Sequence, residues 1–299
     1  VEAAFQGSFF ESNGMWYVSS QTLVEVTVRP ELMSRMEISI DGTWLYFEGS
    51  VASFTVNGSD GLKNVTIRPF MGSYQIAEVE LSLYLDSGCP NTSTKLGDPK
   101  QPHESLSIWF VTSHTPVMLN ATDAGCGVSA IRYRIDKSSW VEVANSSMML
   151  YLEGLEDGLH TIDYYAADFL ENQEEPKTLV LFLDNAPPTT SAIFDEEALL
   201  LMLNATDAGC GTNTTFCRIV GVTEWQLYSN PINFSYYRPG TYIVEFYSVD
   251  HLGNQEDVKS FVVKISQPET TTASVPLAAM LVGMVIAIVI VAVAFRKRI

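Results

Sequence analysis

Residues 22–28 read TLVEVTV, 78–85 read EVELSLYL and 131–135 read IRYRI, with apolar and polar side chains alternating at period two. Shorter alternating or wholly apolar runs follow at 65–67, 179–183, 242–248 and 261–265, rich in β-branched and aromatic residues. This spacing predicts strands, and helical periodicity is nearly absent ahead of the last stretch of the chain. Turn chemistry falls between the runs: Asp41-Gly42 before Trp44, residues 136–139 before Trp140, and Asp157-Gly158 and Pro239-Gly240 ahead of a long strand. About seven short strands in each 80 to 95 residues predict a β-sandwich.

The runs come in copies. MLNATDAGCG occupies 118–127 and returns unchanged at 202–211, and the match continues outward through Arg134-Ile135 with Arg218-Ile219 and Trp140 with Trp225. A more diverged copy lies upstream, where Trp44, Asp60-Gly61-Leu62 and Leu83-Tyr84-Leu85-Asp86 recur in the same order. The spacing is domain-sized. The expected organisation is all-β: three tandem immunoglobulin-like β-sandwiches at 1–88 (diverged), 89–185 and 186–266, a stalk at 267–274, one transmembrane helix at 275–295 and a basic tail at 296–299.

The last part rests on twenty consecutive uncharged residues, 276–295, which as a helix span about 30 Å, the thickness of a bilayer core. Arg296, Lys297 and Arg298 follow and predict a cytoplasmic C-terminus with the preceding modules outside. The expected location is therefore the cell membrane, single-pass, with the N-terminal region extracellular. The formal net charge of −18 argues against nucleic-acid partners. No nucleophile elbow, phosphate loop, paired-carboxylate signature or HExxH occurs, so the chain reads as a non-enzyme.

Asn-Ala-Pro-Pro-Thr-Thr at 185–190, the Ala-Thr-Asp-x-Gly-x-Gly stretch, Tyr-Arg-Ile-Asp ahead of a Trp, and Gly-x-His-Thr-Ile followed by Asp-x-x-Glu-Asn-Gln-Glu together resemble the tandem immunoglobulin-like, fibronectin type III-like modules of bacterial and archaeal surface proteins. The short basic tail and the sequons lean toward the archaeal ones. The likeness is close over 89–265 and fainter over 10–88. The first copy has Arg29-Pro30-Glu31 in place of the Asp-Ala-Gly-Cys-Gly loop. Such modules imply a spacer or adhesion unit and bring no catalytic set.

Four cysteines in an exported chain invite disulfides, with three pairings open. The sandwich arrangement favours Cys210 with Cys217 and Cys89 with Cys126; the alternative is free, buried thiols. Asp123 and Asp207 recur in one loop, Asp168 and Asp250 in another, and Asp86 and Asp184 at the preceding module's exit. Carboxylates converging on a junction suggest calcium, the single cofactor considered; the alternative is that these residues cap loops through side-chain turns. Trp44, Trp140 and Trp225 recur in every module and are expected in the cores. Of the eight Asn-x-Ser/Thr sequons, Asn57, Asn64, Asn91, Asn145, Asn213 and Asn233 are candidate glycosylation sites, while Asn120 and Asn204 belong to the duplicated decapeptide.

The functional expectation is a membrane-anchored extracellular structural or adhesion protein, a rod of modules with a cell-surface protein or glycan as its partner. The alternatives are the membrane-proximal stalk of a hydrolase whose catalytic domain lies upstream, and a carbohydrate-binding adhesin.

Overall fold

The structure is a computed structural model that describes residues 1–29, 33–103 and 105–266. The expected stalk, transmembrane helix and basic tail lie outside the described residues, and no helix within them is long and apolar enough to cross a membrane. Strands come in three groups. The first holds β1 (Glu2–Gln6), β2 (Phe9–Ser12), β3 (Met15–Val18), β4 (Leu23–Thr27), β5 (Arg35–Ile40), β6 (Thr43–Glu48), β7 (Val51–Thr55), β8 (Gly61–Met71), β9 (Tyr74–Gln75) and β10 (Val79–Leu85). The second holds β11 (Asn91–Leu96), β12 (Lys100–Pro102), β13 (Trp109–Val111), β14 (Val117–Thr122), β15 (Val128–Ile135), β16 (Val141–Val143), β17 (Ser147–Leu150), β18 (Gly158–Asp168) and β19 (Lys177–Leu183). The third holds β20 (Thr189–Asp195), β21 (Leu200–Thr206), β22 (Thr212–Ile219), β23 (Gln226–Leu227), β24 (Ile232–Asn233), β25 (Gly240–Asp250) and β26 (Lys259–Ile265).

Each group folds into two facing sheets with one topology. The small sheets run β1-β4-β7, β11-β14-β17 and β20-β21-β24; the large ones run β2-β3-β10-β8-β5-β6, β12-β13-β19-β18-β15-β16 and β26-β25-β22-β23. In the first two modules a strand before the first crossover, β3 or β13, joins the large sheet parallel to the last strand. The third lacks that strand. Period-two alternation fills the space between the sheets. Val24 and Val26 face Met36, Ile38, Ile67 and Leu83 in the first core; Leu119, Ile131, Ile162 and Leu181 build the second. The third core is smaller, centred on the fully buried Phe234 with Leu201, Val244 and Val263.

The tryptophans are not core residues. Trp140 is 37 % exposed, Trp44 and Trp225 are half-buried, and each ring lies on the outer face of a large sheet beneath an arginine, Arg68, Arg134 or Arg218, at 4.4, 4.6 and 4.7 Å. A Trp placed one residue out of phase with the inward row must face water. There a guanidinium over the ring and an edge contact with Tyr165 or Tyr247 cover it. The same parity buries Tyr164 and turns Tyr165 outward, whereas Tyr236 and Tyr237 sit in a turn rather than a strand.

One buried glutamate ties each of the two later modules shut. Glu174 accepts hydrogen bonds from Thr92 N (3.1 and 3.0 Å), the Thr92 hydroxyl and Ala166 N (3.0 Å), and pairs with Lys177 Nζ at 2.8 Å. Glu256 repeats this with Thr190, Ser248 N and Lys259. Each carboxylate joins the first strand of its module to the large sheet. Burial pushes both acids up, but the lysine and the threonine bonds outweigh it and hold them below the ordinary glutamate value. A lowered folded pKa contributes stability that is present above the unfolded value of about 4.3 and is lost as pH falls through the folded one. Glu174→Gln should therefore destabilise the protein at pH 7 by about 1.5 to 3 kcal/mol, the range for losing hydrogen bonds to a charged group, and lower its melting temperature. The gap to the unsubstituted protein should close as thermal melts are repeated down to pH 3.

Candidate functional site

The residues singled out for chemistry gather at two places, where one module hands the chain to the next. At the first, β10 ends at Leu85 and the Asp86 carboxylate enters the second module: Oδ2 accepts Cys126 N at 2.6 Å and Oδ1 accepts Gly88 N at 3.2 Å. At the second, Asp184 Oδ2 accepts Cys210 N at 2.7 Å. Both aspartates are 2 % exposed. The receiving loop is built by its own sequence. Asp123 Oδ2 accepts Gly125 N (2.8 Å) and Gly127 N (2.9 Å), and Asp207 Oδ2 does the same for Gly209 N and Gly211 N at 3.0 and 2.7 Å. A Cβ on Gly125 or Gly209 would overlap the incoming carboxylate, so only glycine leaves room for it.

A second loop closes over the same exit. Asp168 Oδ1 accepts Leu170 N and Asn172 N, both at 2.8 Å, and its Oδ2 accepts Asn172 Nδ2 at 2.7 Å. Asn172 Nδ2 also donates to Asp86 O at 3.4 Å. Asp250 and Asn254 repeat the arrangement, with Asn254 Nδ2 donating to Asp184 O at 3.1 Å. From the other side the next residue is held by the module just left: Ser87 N donates to Asp60 Oδ1 and Asn185 N to Asp157 Oδ1, each at 3.0 Å. The linker is thus gripped from both modules within two residues.

Burial, partly offset by the Asn172 hydrogen bonds, raises the Asp168 pKa; burial, opposed by the Cys210 amide and reinforced by Asp207 and Asp250, raises that of Asp184. These two groups hold a proton more tightly folded than unfolded. Their contribution is greatest in acid and falls as pH rises through the folded value, opposite in sign to Glu174 and Glu256. Burial first, then the neighbouring carboxylate, keeps the Cys126 and Cys210 thiols protonated well above the ordinary thiol range. Such thiols are inert.

Side-chain donor atoms of Asp86, Asp123 and Cys126 lie within 4.8 Å of one another, as do those of Asp184, Cys210 and Asp250. Calcium takes six to eight oxygen ligands. Each group offers two carboxylates and a soft thiol, and their oxygens already accept backbone N–H groups, so the arrangement suits loop capping at least as well as a hard cation.

Aromatic rows buttress the same junctions on the outer face of the large sheets. Phe10, Tyr17, Tyr84 and Leu62 stand side by side on β2, β3, β10 and β8, and Phe169 of the second module stacks on Phe10 at 4.2 Å and 7°. The second module repeats the row with Phe110, Phe182 and Leu159. At Phe169's place stands His251, which lines a cleft of about 300 Å³ with Phe110, His103 and Cys210. In the third module the matching cross-strand pair is Thr241 and Lys264. The sequence offered no sign of these rows, because their members belong to strands far apart in the chain.

The expected disulfides are not formed: all four cysteines are free. Cys210 faces Asp184 at the junction, whereas Cys217 is buried between Leu203 and Phe246, several residues further along an extended strand. A strand advances about 3.3 Å per residue, which carries the two sulfurs well beyond bonding range. Cys89 is exposed, while Cys126 is buried beside Asp86. All eight sequon asparagines are exposed.

Sheet order and core define a tandem array of β-sandwich modules of the immunoglobulin-like, fibronectin type III-like class. No protein-family model matches the chain, and no curated protein does. Among solved structures it is similar to the fibronectin(III)-like modules of Clostridium thermocellum CbhA (13 % identity, 61 % of this chain and 94 % of that one, TM-score 0.31). It is also similar to a tetra-tandem repeat in the extending region of a large adhesion protein (15 %, 89 % and 74 %, 0.34) and to a run of titin domains (11 %, 89 % and 99 %, 0.36). The class assignment rests on the chain's own sheets.

Gly125→Ala and Gly209→Ala should each expel the exit carboxylate and leave the Cys126 or Cys210 amide without its charged acceptor, a loss of about 1.5 to 3 kcal/mol at the junction. Hydrogen exchange should speed at that amide while the core strands of both flanking modules keep their protection.

Proposed function

We propose that the chain is a membrane-anchored, outward-facing spacer whose work is mechanical: three sandwiches held in fixed sequence by two latched joints, with no catalytic centre. The observation that carries this reading is the joint itself, built twice from the same atoms: an exit aspartate seated over a glycine, a capped loop beneath it and an asparagine closing over its carbonyl. A linker gripped from both sides within two residues resists bending, and a duplicated grip is what a spacer requires. The uncharged run at 276–295 with its basic flank supports anchoring, and the exposed sequons support an extracellular, glycan-bearing surface. Calcium is not needed for the grip. Melting temperatures measured with calcium and with chelator should agree, and a rise with calcium would reassign the junction carboxylates as its ligands.

The test is a distance distribution between spin labels on the first and third modules of the full-length chain. A narrow distribution is expected, broadened by Gly125→Ala or Gly209→Ala. A distribution already broad in the unsubstituted protein would reject the spacer reading.

A further inference from the structure

The large sheet of the first module ends in an open edge. Among the described residues β6 pairs with β5 alone, and its other side has no neighbour. The corresponding edges are blunted in the other modules, to three residues in β16 and two in β23. Proteins shorten or charge such edges because an unpaired row of N–H and C=O groups invites another strand. The six residues of β6 (Thr43–Glu48) instead read TWLYFE, without lysine, proline or bulge.

The phase of the hairpin says which groups are free. Ile40 and Thr43 flank the two-residue turn Asp41-Gly42, whose φ angles of 47° and 86° make it the primed type. The residues closing such a turn form a hydrogen-bonded pair, and the two kinds of pair then alternate. The bond from Gly49 N to Ser34 O at 3.0 Å keeps this phase beyond the strand. Thr43, Leu45 and Phe47 are therefore bonded to β5, and the amides and carbonyls of Trp44, Tyr46 and Glu48 point away from it. Beside them runs a groove of about 470 Å³ lined by Ser34, Arg35, Tyr46, Phe47, Glu48 and Gly72. Tyr46 is 71 % exposed.

We propose that this edge pairs antiparallel with the same edge of a second copy of the chain, about a two-fold axis at Tyr46, joining the two large sheets into one. The register is self-complementary. Tyr46 meets Tyr46 of the second copy and Trp44 meets its Glu48, so all three outward-pointing residues enter the ladder. Leu45 meets Phe47 on the core face, which keeps both cores on one side of the joined sheet. No like charges stand opposite each other. A two-fold contact of this kind closes as a dimer instead of growing into a fibre. The contact is small but does not depend on anchoring; where both copies are anchored to one surface, as the proposed function has it, their effective concentration is raised further. The pairing stands whether or not the junctions are stiff.

Sedimentation of the full-length chain from about 5 to 500 µM, with hydrogen exchange at both ends of the range, tests this. A concentration-dependent dimer is expected, with new protection at the Trp44, Tyr46 and Glu48 amides and none gained at Thr43, Leu45 or Phe47. Tyr46→Pro removes one outward N–H without touching the bonds to β5, and Tyr46→Lys sets two charges against each other at the axis; each should weaken association at least tenfold. Should Tyr46→Pro fail to fold, Tyr46→Lys decides. A monomer throughout, a dimer unchanged by Tyr46→Lys, or protection gained elsewhere would overturn the pairing.

Discussion

A buried carboxylate at the end of a strand needs donors, and in this chain those donors belong to the next module. Asp86 and Asp184 are almost fully removed from water, and among the described residues no lysine or arginine pairs with them; they accept the amide of Cys126 or Cys210. Leaving such a group unpaired costs more than the bond itself returns. The exits of the first and second modules are therefore completed only when the following module is in place.

That dependence accounts for the duplicated decapeptide residue by residue. Its first half is ordinary strand: Leu119 and Ala121 fill the second core, and Leu203, the counterpart of Leu119, is buried in the third module. Its second half is the receptacle. Asp123 and Asp207 curl the loop, Gly125 and Gly209 give up a side chain to the incoming carboxylate, Cys126 and Cys210 present the amide, and Gly127 and Gly211, at φ of 92° and 87°, turn the chain into the next strand. A strand tolerates substitution that preserves parity, whereas a receptacle shaped to one carboxylate tolerates little. This is why identity peaks here and fades to resemblance elsewhere.

The strands and the junction carboxylates could be read from the chain because both signals are local: period-two alternation in one case, a repeated loop in the other. Trp44, Trp140 and Trp225 misled because recurrence does not distinguish inward from outward; the deciding fact was the register of Arg134 and Arg218 beside the rings. The cysteines misled for a related reason. Cys210 and Cys217 are close in sequence, but the extended strand between them sends one sulfur to the junction and the other into the third core. The rows Phe10-Tyr17-Tyr84-Leu62 and Phe110-Phe182-Leu159 are illegible in the sequence, since their members meet only after four strands have paired in the first case and three in the second. β12, short and polar, carries no alternation to announce it.

The two halves of the joint are distributed unevenly among the three modules. Exit residues stand where a module follows: Asp86 with Asp60 behind it and Tyr84 beside Leu62, then Asp184 with Asp157 and Phe182 beside Leu159. At the matching positions the third module has Ser266, Pro239 and the pair Lys264 and Thr241, none of which supplies a carboxylate or an apolar ring. The receptacle stands at the start of the second and third modules, and the first copy has Arg29-Pro30-Glu31 in its place. Its β8 also runs on into a hairpin with β9, exposing Met71 and Tyr74 where the later modules fold Asp168 and Asp250 back over an exit. The first module thus keeps the sheet order of the other two and departs from them in the loops that, in those two, receive and cover the preceding exit.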